Sequence, residues 1–314
     1  MPADHRHEGQ HHHGHSLAED LAVMHRQLTD RRRALKWFAG AGTAALVAGC
    51  GGGSGETEGV AVVSGSTATT ASPTPAATTT TTTTTTSTPT ATTSGVCVVE
   101  PTETAGPYPG DGTNTSAGST SNVLVSSGIV RSDIRPSFLT TTTVATGVEV
   151  RLTLTVVNVN ASCAPLAGYA VYLWHCDRNG NYSLYSGATG ESYLRGVQVT
   201  DANGQVTFST IYPACYDGRW PHMHFEIFSS LANATSGRYA VLTSQLAMPS
   251  AVSTAVFADT TLYPASATRF ARVSLSSDNV FADNTAAQIA QQTPAFTGSP
   301  SAGYTATALI GIAR

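Results

Sequence analysis

The feature that most limits how this chain can fold is a period-two alternation of apolar and polar residues in short segments of its C-terminal two thirds. Such alternation places successive side chains on opposite faces of a β-strand. Turn-forming pairs such as Asn203-Gly204 separate the segments, and residues 282–292 are the one weak helix candidate. We therefore predict an all-β fold, an antiparallel β-sandwich with few or no helices. The long loops of the sandwich are expected to carry the functional site. Its strands are expected at 122–130, 148–157, 169–175, 205–211, 223–228, 238–246, 272–275 and 305–312.

Residues 1–50 have the pattern of an export leader behind a His-rich head. A run of three arginines, residues 31–33, precedes an apolar stretch that is too short for a spanning helix of about 20 residues. The twin arginine resembles the signal that exports folded proteins, and the stretch ends in a lipobox-like Cys50. We expect an extracytoplasmic protein anchored in the membrane through acylated Cys50. The alternative is an uncleaved spanning anchor.

The rest of the chain divides by composition into a linker and a domain. Residues 51–95 are dominated by Gly, Ser, Thr, Ala and Pro, with an unbroken Thr run at 78–86. Few large apolar side chains are present to offset the entropy of ordering, which predicts a disordered tether. Residues 96–314 are long enough for one domain with a substantial core. A net charge of -4 with scattered basic residues argues against nucleic-acid binding.

Apart from Cys50, the chain has four cysteines, all in the predicted domain. An even number in an exported domain suggests two disulfides, with three connectivities open. The pairing that we favour joins Cys97 to Cys163 and Cys176 to Cys215.

Two histidines in the segment HMHFEIF are the strongest chemical signal. His222 and His224 are two residues apart, so a strand would point both imidazoles to one face, where both could reach one cation. The alternative is a pair of polar residues on a solvated face. Tyr182 and Tyr216 precede the pair, each in a turn or loop. A phenolate is a hard anionic ligand that needs a strongly Lewis-acidic ion, so this set suits ferric iron.

A series of motifs surrounds these residues. In chain order they are PLAG at 165–168, VYLWHCD at 171–177, GNYS at 180–183, RG at 195–196, TDANG at 200–204, FSTIYP at 208–213, Tyr216, Arg219 and HMHF at 222–225. Taken in this order, they resemble the intradiol ring-cleavage dioxygenases, the family of the catechol and protocatechuate enzymes. The resemblance implies ferric iron, Fe(3+), with solvent as a fifth ligand and with Tyr216 and His224 axial. The four implied protein ligands are Tyr182, Tyr216, His222 and His224.

The same resemblance implies an enzyme that opens catechol-type rings with O2 between the two hydroxyl-bearing carbons, giving cis,cis-muconate-type products. The catechol binds as the dianion and displaces Tyr216, and the metal acts as Lewis acid and template. Arg219 matches an arginine that faces the substrate and could stabilise developing negative charge, a surface arginine being the alternative. Gln245 matches a pocket glutamine more loosely.

A separate likeness lies upstream, in ETAGPY at 103–108. It resembles the segment that lines the substrate pocket of protocatechuate-type members, where a different subunit carries it. Gly106, Pro107 and Tyr108 are therefore expected to line the pocket on the same chain as the metal ligands, which suggests a self-sufficient site. The alternative is an ordinary Gly-Pro turn.

The leader, tether and cysteines look like the extracytoplasmic branch of the family. The helical N-terminal dimerisation segment of the catechol-specific branch is missing, and a homodimer stays open. Two other functions compete with the enzyme. One is a surface-tethered β-sandwich that binds a ligand without catalysis, and the other is a module that holds iron, copper or zinc. The presence of all four ligand residues in order favours the enzyme.

Overall fold

The computed structural model describes residues 97–314. The helices are α1 (Ser250–Phe257), α2 (Ser266–Phe270) and α3 (Ala286–Gln292). The strands are β1 (Asp111–Ser116), β2 (Ser119–Asn122), β3 (Glu149–Asn158), β4 (Ala164–Pro165), β5 (Ala170–Trp174), β6 (Arg195–Val199), β7 (Gln205–Ile211), β8 (His222–Phe228), β9 (Leu242–Ala247), β10 (Ala295–Ser299) and β11 (Gly303–Ile312).

The predicted leader with Cys50 and the predicted tether, residues 51–95, lie outside the described residues. Within residues 97–314, no helix has the length and apolar character needed to cross a bilayer.

Two sheets form a β-sandwich, which confirms the predicted fold class. One sheet has the order β6-β5-β8-β9 and is antiparallel throughout. The other has the order β10-β11-β3-β4, and β7 also pairs with β3. In this second sheet β11 runs parallel to β3, a parallel pairing that the prediction of an antiparallel sandwich did not include. Alternation along one strand is the same beside a parallel or an antiparallel neighbour, so the sequence pattern does not distinguish them.

The core takes alternate residues from the facing strands. On β3, buried residues alternate with more exposed ones, and Leu152 and Leu154 belong to the same hydrophobic cluster as Phe225 and Ile227 of β8. All of β8 is buried. Because neighbouring strand residues point to opposite faces, His224 lies on the face of β8 opposite Phe225. Loops must therefore cover that second face, and this is where the candidate site forms.

Six of the eight predicted strands are present, as β3, β5, β7, β8, β9 and β11. The strands predicted at 122–130 and 272–275 are absent. In the first segment Gly128 takes a φ of +88°, which breaks the extended backbone. In the second, Ser274 and Ser277 hydrogen-bond to each other's side chains and backbone instead of to a neighbouring strand. The helix candidate at 282–292 is found as α3, which begins after Thr285 in a capping box.

One of the two favoured disulfides is present. Cys97 and Cys163 are bonded, whereas Cys176 and Cys215 are free and buried, so that predicted pair was wrong. Each free thiol donates to a backbone oxygen, at 3.7 Å and 3.5 Å respectively. Burial raises the pKa of both thiols, that of Cys215 to about 12. An even number of cysteines indicates pairing, but a buried thiol with a carbonyl acceptor is satisfied without it.

Candidate metal centre

The two histidines of β8 project from one face of the sheet, as their spacing predicts. Strand register places His224 opposite Trp174 of β5 and opposite Gln245 of β9. The indole of Trp174 stacks on the imidazole of His224, with ring centroids 5.0 Å apart and planes inclined by 8°. Neighbouring strands on both sides therefore fix the position of His224.

Tyr182 and Tyr216 reach the same place from two loops. Tyr182 follows β5 through a turn in which the Asp177 carboxylate accepts hydrogen bonds from two backbone amides. Tyr216 lies between β7 and β8. The loops come together at Gly180, where an added Cβ would lie 3.1 Å from the Cβ of Tyr216. The φ of Gly180, +92°, also favours glycine.

The heteroatoms of these four side chains converge. His222 Nε2 lies 3.1 Å from His224 Nε2, 3.1 Å from Tyr216 Oη and 3.3 Å from Tyr182 Oη. Tyr182 Oη lies 3.2 Å from His224 Nε2 and 3.4 Å from Tyr216 Oη. Two donors that bind one cation at bond lengths of about 2 Å, at a tetrahedral angle to each other, lie about 3.3 Å apart, and these five separations are close to that value. The spacing therefore fits one metal ion.

A metal ion at this place would need the tyrosine oxygens as ligands. Within residues 97–314, no group of three or more His, Cys, Asp or Glu side chains is arranged to hold a metal ion. A cation beside the two histidines would therefore need one or both phenols. Phenolate oxygens with imidazole nitrogens, and without thiolates, form a donor set that suits ferric iron better than a soft ion.

Burial dominates the electrostatics of the four side chains. Desolvation raises the pKa of Tyr216 to about 12 and raises that of Tyr182 well above its usual value of 10. It lowers the pKa of both His222 and His224 well below 6.5. Without a cation, all four side chains are therefore neutral at pH 7. A bound cation would shift the phenols toward the phenolate form.

A hydrogen bond determines which nitrogen of His222 carries the proton. Nδ1 lies 2.5 Å from the backbone oxygen of Trp220. A carbonyl oxygen can only accept, so Nδ1 is the protonated nitrogen. Nε2 then presents its lone pair to the other three side chains, as an imidazole ligand requires.

Arg219 and Gln245 lie beside the four side chains. Arg219 Nη1 is 3.3 Å from His222 Nε2, and Nη2 donates to Gln245 Oε1 at 2.7 Å. Gln245 Nε2 donates in turn to the backbone oxygen of Thr104 at 2.8 Å. Arg219 is 1% exposed, which excludes the surface alternative. Burial lowers its pKa, but the charge and hydrogen bond of Asp278, together with the interactions with Tyr216 and Tyr182, outweigh this effect, so the pKa is raised and the guanidinium stays charged.

The 103–108 segment also contacts the candidate metal centre. A Cβ on Gly106 would lie 3.3 Å from Cε1 of His224, and the φ of Gly106 is +70°. The ring of Tyr108 stacks on that of Tyr182. The backbone oxygen of Pro107 accepts a hydrogen bond from Nδ2 of Asn114, on β1, at 2.5 Å. Gly106 and Tyr108 therefore lie beside residues predicted as ligands, on the same chain, and Pro107 lies between them in the sequence.

Two buried charged residues of this region had no role in the sequence prediction. Arg195, noted only as part of the RG pair, donates to the backbone oxygens of Tyr108 at 2.9 Å and Ser183 at 2.8 Å. It thereby joins the 103–108 segment to the loop that carries Tyr182. Asp278, which pairs with Arg219, was not predicted at all, because no motif or periodic pattern surrounds it.

Known dioxygenases are similar to this chain in sequence and in fold. Residues 131–250 match the family model Dioxygenase_C, described as a dioxygenase. The chain is similar to an intradiol ring-cleavage dioxygenase from Tetranychus urticae, at 23% identity and a TM-score of 0.50 over 69% of this chain and 95% of that one. It is also similar to the dioxygenase Tetur07g02040, at 24% identity and a TM-score of 0.52 over the same shares of the two chains.

A third similar structure is the dioxygenase domain of a carbohydrate-binding fusion protein from Streptomyces sp. SirexAA-E. It is 20% identical, with a TM-score of 0.42, over 69% of this chain and 99% of that one. At these identities the first two structures show that the fold is shared.

Proposed function

We propose that this chain, which a dioxygenase family model matches over residues 131–250, is a member of the intradiol ring-cleavage dioxygenases and uses ferric iron and O2 to open catechol-type rings between their two hydroxyl-bearing carbons. The products would be cis,cis-muconate-type acids. One observation carries the proposal. Two phenol oxygens and two imidazole nitrogens converge, with separations of 3.1 to 3.4 Å.

In the proposed site, Tyr182, Tyr216, His222 and His224 hold the iron. Ferric iron, when bound, supplies Lewis acidity that favours the doubly ionised catechol and makes its ring reactive toward O2. The remaining tasks fall to the protein, which must orient the substrate, store its protons and stabilise the charge that develops.

Tyr216 is the proposed holder of a substrate proton. When a catechol binds in place of this phenol, Oη would take up one of the two catechol protons, and the solvent ligand that leaves would take up the other. Burial raises the pKa of Tyr216 to about 12, so a released phenol keeps that proton at neutral pH. Its place on a loop, rather than on a strand as for His222, suits a side chain that must move.

Arg219 and Gln245 are the proposed groups for charge stabilisation. The buried guanidinium of Arg219 directs Nη1 toward the donor cluster, where His222 Nε2 lies 3.3 Å away. A fixed positive charge there would stabilise negative charge that develops on the substrate oxygens. Gln245 holds the other end of the guanidinium at 2.7 Å, so the charge needs no reorganisation during the reaction.

Residues 106–108 are the proposed wall of the substrate pocket. Tyr108 stacks on Tyr182 with ring centroids 5.0 Å apart, which gives the pocket an aromatic surface suited to a flat ring. Gly106 lies against His224 without a side chain, which leaves room beside that imidazole.

The proposed location is outside the cytoplasm, with acylated Cys50 as the membrane anchor. The twin-arginine leader and the Cys at its end support this proposal. Replacing Cys50 with Ala should release the protein from the membrane fraction into the soluble extracytoplasmic fraction. Retention of the variant in the membrane would contradict a lipid anchor at this residue.

Colour and O2 uptake test the proposed activity. The purified full chain should turn red-brown when loaded with ferric iron, because phenolate donors give charge-transfer absorption. O2 uptake should follow the addition of catechol, hydroxyquinol or protocatechuate. A protein that stays colourless after loading would contradict the iron site. A coloured protein that consumes no O2 with any of the three would instead support a binding module.

A further inference from the structure

Asp278 is a buried carboxylate that lies behind the candidate site. Its side chain is 0% exposed and that of its ion-pair partner, Arg219, is 1% exposed, with Nε and Oδ2 2.9 Å apart. The same Oδ2 accepts a hydrogen bond from the backbone amide of Trp220 at 2.6 Å. The desolvation of a buried ion pair can cost more free energy than the attraction between the two charges returns. Stability alone therefore does not account for this pair.

The carboxylate of Asp278 is itself held rigidly. Its second oxygen, Oδ1, accepts hydrogen bonds from the backbone amides of Val280 at 2.8 Å and Phe281 at 3.1 Å. Four donors therefore surround the two oxygens. Because the backbone amides of Val280 and Phe281 hold the carboxylate of Asp278 in place, its Oδ2 can fix the positions of the two groups that donate to it, Arg219 Nε and the amide of Trp220.

The guanidinium of Arg219 is planar, so two fixed nitrogens determine the direction of the third. Asp278 fixes Nε, and Gln245 fixes Nη2 at 2.7 Å. The remaining nitrogen, Nη1, then points at the donor cluster, 3.3 Å from His222 Nε2. Without Asp278, Gln245 alone would hold the guanidinium, which could then rotate about a single hydrogen bond.

The same carboxylate oxygen also acts on a proposed ligand through the main chain. Oδ2 of Asp278 holds the amide of Trp220, and the carbonyl of Trp220 accepts the Nδ1 proton of His222. One oxygen thus anchors both the arginine and the residue that orients an imidazole.

We propose that Asp278 is a positioning residue that aims the guanidinium of Arg219 at the bound substrate. This inference rests on the proposed function and extends it to a segment beyond the matched family region, which ends at residue 250. Asp278 itself touches no substrate. Its effect on turnover and on substrate binding passes through Arg219, whereas its hydrogen bond with Trp220 helps to orient His222.

The test compares Asp278→Asn, Arg219→Leu and the double variant as full-length, iron-loaded proteins. Asp278→Asn should keep full iron stoichiometry, since the four ligand side chains are unchanged. It should lower kcat about 10- to 100-fold, the usual cost of losing a residue that orients an active group. It should also weaken the binding of 4-nitrocatechol, measured by visible titration without turnover, at least threefold. In the Arg219→Leu background, adding Asp278→Asn should change either quantity less than twofold.

A matched control distinguishes a change in the orientation of Arg219 from a general loss of stability. Asp133 pairs with Arg135 at 2.9 Å, the same length, on a partly exposed part of the domain. Asp133→Asn should leave turnover and nitrocatechol affinity within twofold of the unaltered protein. Melting temperatures of all variants, measured in parallel, report any loss of folding.

The outcomes distinguish the two proposals. If the unaltered protein turns over a catechol and Asp278→Asn matches it within twofold, the positioning role is wrong and the proposed function stands. An equal loss from Asp278→Asn with and without Arg219 would also overturn the role, since the effect would not pass through the arginine. If the unaltered protein binds neither iron nor nitrocatechol, the proposed function fails and the inference fails with it.

Discussion

Tyr108 stacks on Tyr182, with ring centroids 5.0 Å apart and ring planes inclined by 29°. A residue expected to line the substrate pocket thus touches a residue expected to bind the metal. The ring of Tyr185 packs edge-on against Tyr108 at 5.1 Å. Tyr108 is therefore clamped between two aromatic side chains, and it limits how the Tyr182 phenol can tilt.

Replacing Tyr108 with Ala is expected to lower kcat/KM for the preferred catechol by about fivefold, because an aromatic pair contributes about 1 kcal/mol beyond its buried area. Tyr108→Phe keeps the ring and should stay within twofold of the unaltered protein. O2 uptake at several catechol concentrations measures both. Equal losses in the two variants would instead assign the effect to the phenol hydroxyl.

Tyr216→Phe is expected to remove about half of the visible charge-transfer intensity per bound iron, because one of two phenolate donors is lost. Absorption spectra normalised to iron content give this ratio. Tyr304→Phe is the matched control, since Tyr304 is another buried tyrosine and lies on β11, away from the candidate metal centre. An unchanged spectrum in Tyr216→Phe would show that this phenol does not bind the iron.

Local patterns predicted the parts of this site that depend on local geometry. The spacing of His222 and His224 predicts that they share a face, because strand period is set by the backbone alone. The turn at Asn179–Gly180 could be recognised from its residue types, and it positions Tyr182. Gln245 needed the family resemblance, since its place opposite His224 depends on the pairing of two strands.

Side-chain pairings between residues far apart in the chain could not be predicted from the sequence. Asp278 is 59 residues from Arg219, and nothing around it signals a buried carboxylate. Cys176 and Cys215 were wrongly paired, because cysteine number and spacing carry no information on the distance between their Cα atoms. Both errors concern contacts that only the packed domain creates.

Gly106→Ala is expected to weaken iron binding about tenfold, because the new methyl would lie 3.3 Å from Cε1 of His224 and push the ring. Gly168→Ala controls for backbone strain. Its φ, +81°, resembles the +70° of Gly106, but no atom lies within 4 Å of the added Cβ. Both variants should lose about 1 kcal/mol of unfolding free energy, and only Gly106→Ala should lose iron affinity. Competition with a chelator measures that affinity. Equal iron affinity in the two variants would contradict a steric role for Gly106.

Replacing both Cys97 and Cys163 with Ser is expected to destabilise the protein by about 2–4 kcal/mol. The bond closes a loop over a sequence separation of 66 residues, and opening it restores conformational entropy to the unfolded chain. Urea unfolding of the full chain measures the loss. A reductant should produce the same shift in the unaltered protein and no further shift in the double variant. A reductant-sensitive double variant would indicate that another disulfide forms.

Glu100 should contribute a fall in stability as pH rises between about pH 4.5 and pH 8. Burial, aided by the nearby charge of Glu103, raises the pKa of Glu100 from 4.5 to about 8 in the folded protein. In this window the folded protein keeps a proton on Glu100 that the unfolded chain loses, so this residue lowers the unfolding free energy by up to about 1.4 kcal/mol per pH unit. Below pH 6.5 the buried histidines, whose pKa values are lowered by desolvation, contribute the opposite slope.

Glu100→Gln should remove this contribution from the slope and stabilise the protein at pH 8, because the buried group no longer has to ionise. Urea unfolding at pH 5, 6.5 and 8 measures the slope. Glu149→Gln is the control, since the Glu149 side chain is 71% exposed, and it should keep the slope of the unaltered protein. If Glu100→Gln also keeps that slope, Glu100 does not carry the proton that the folded state retains.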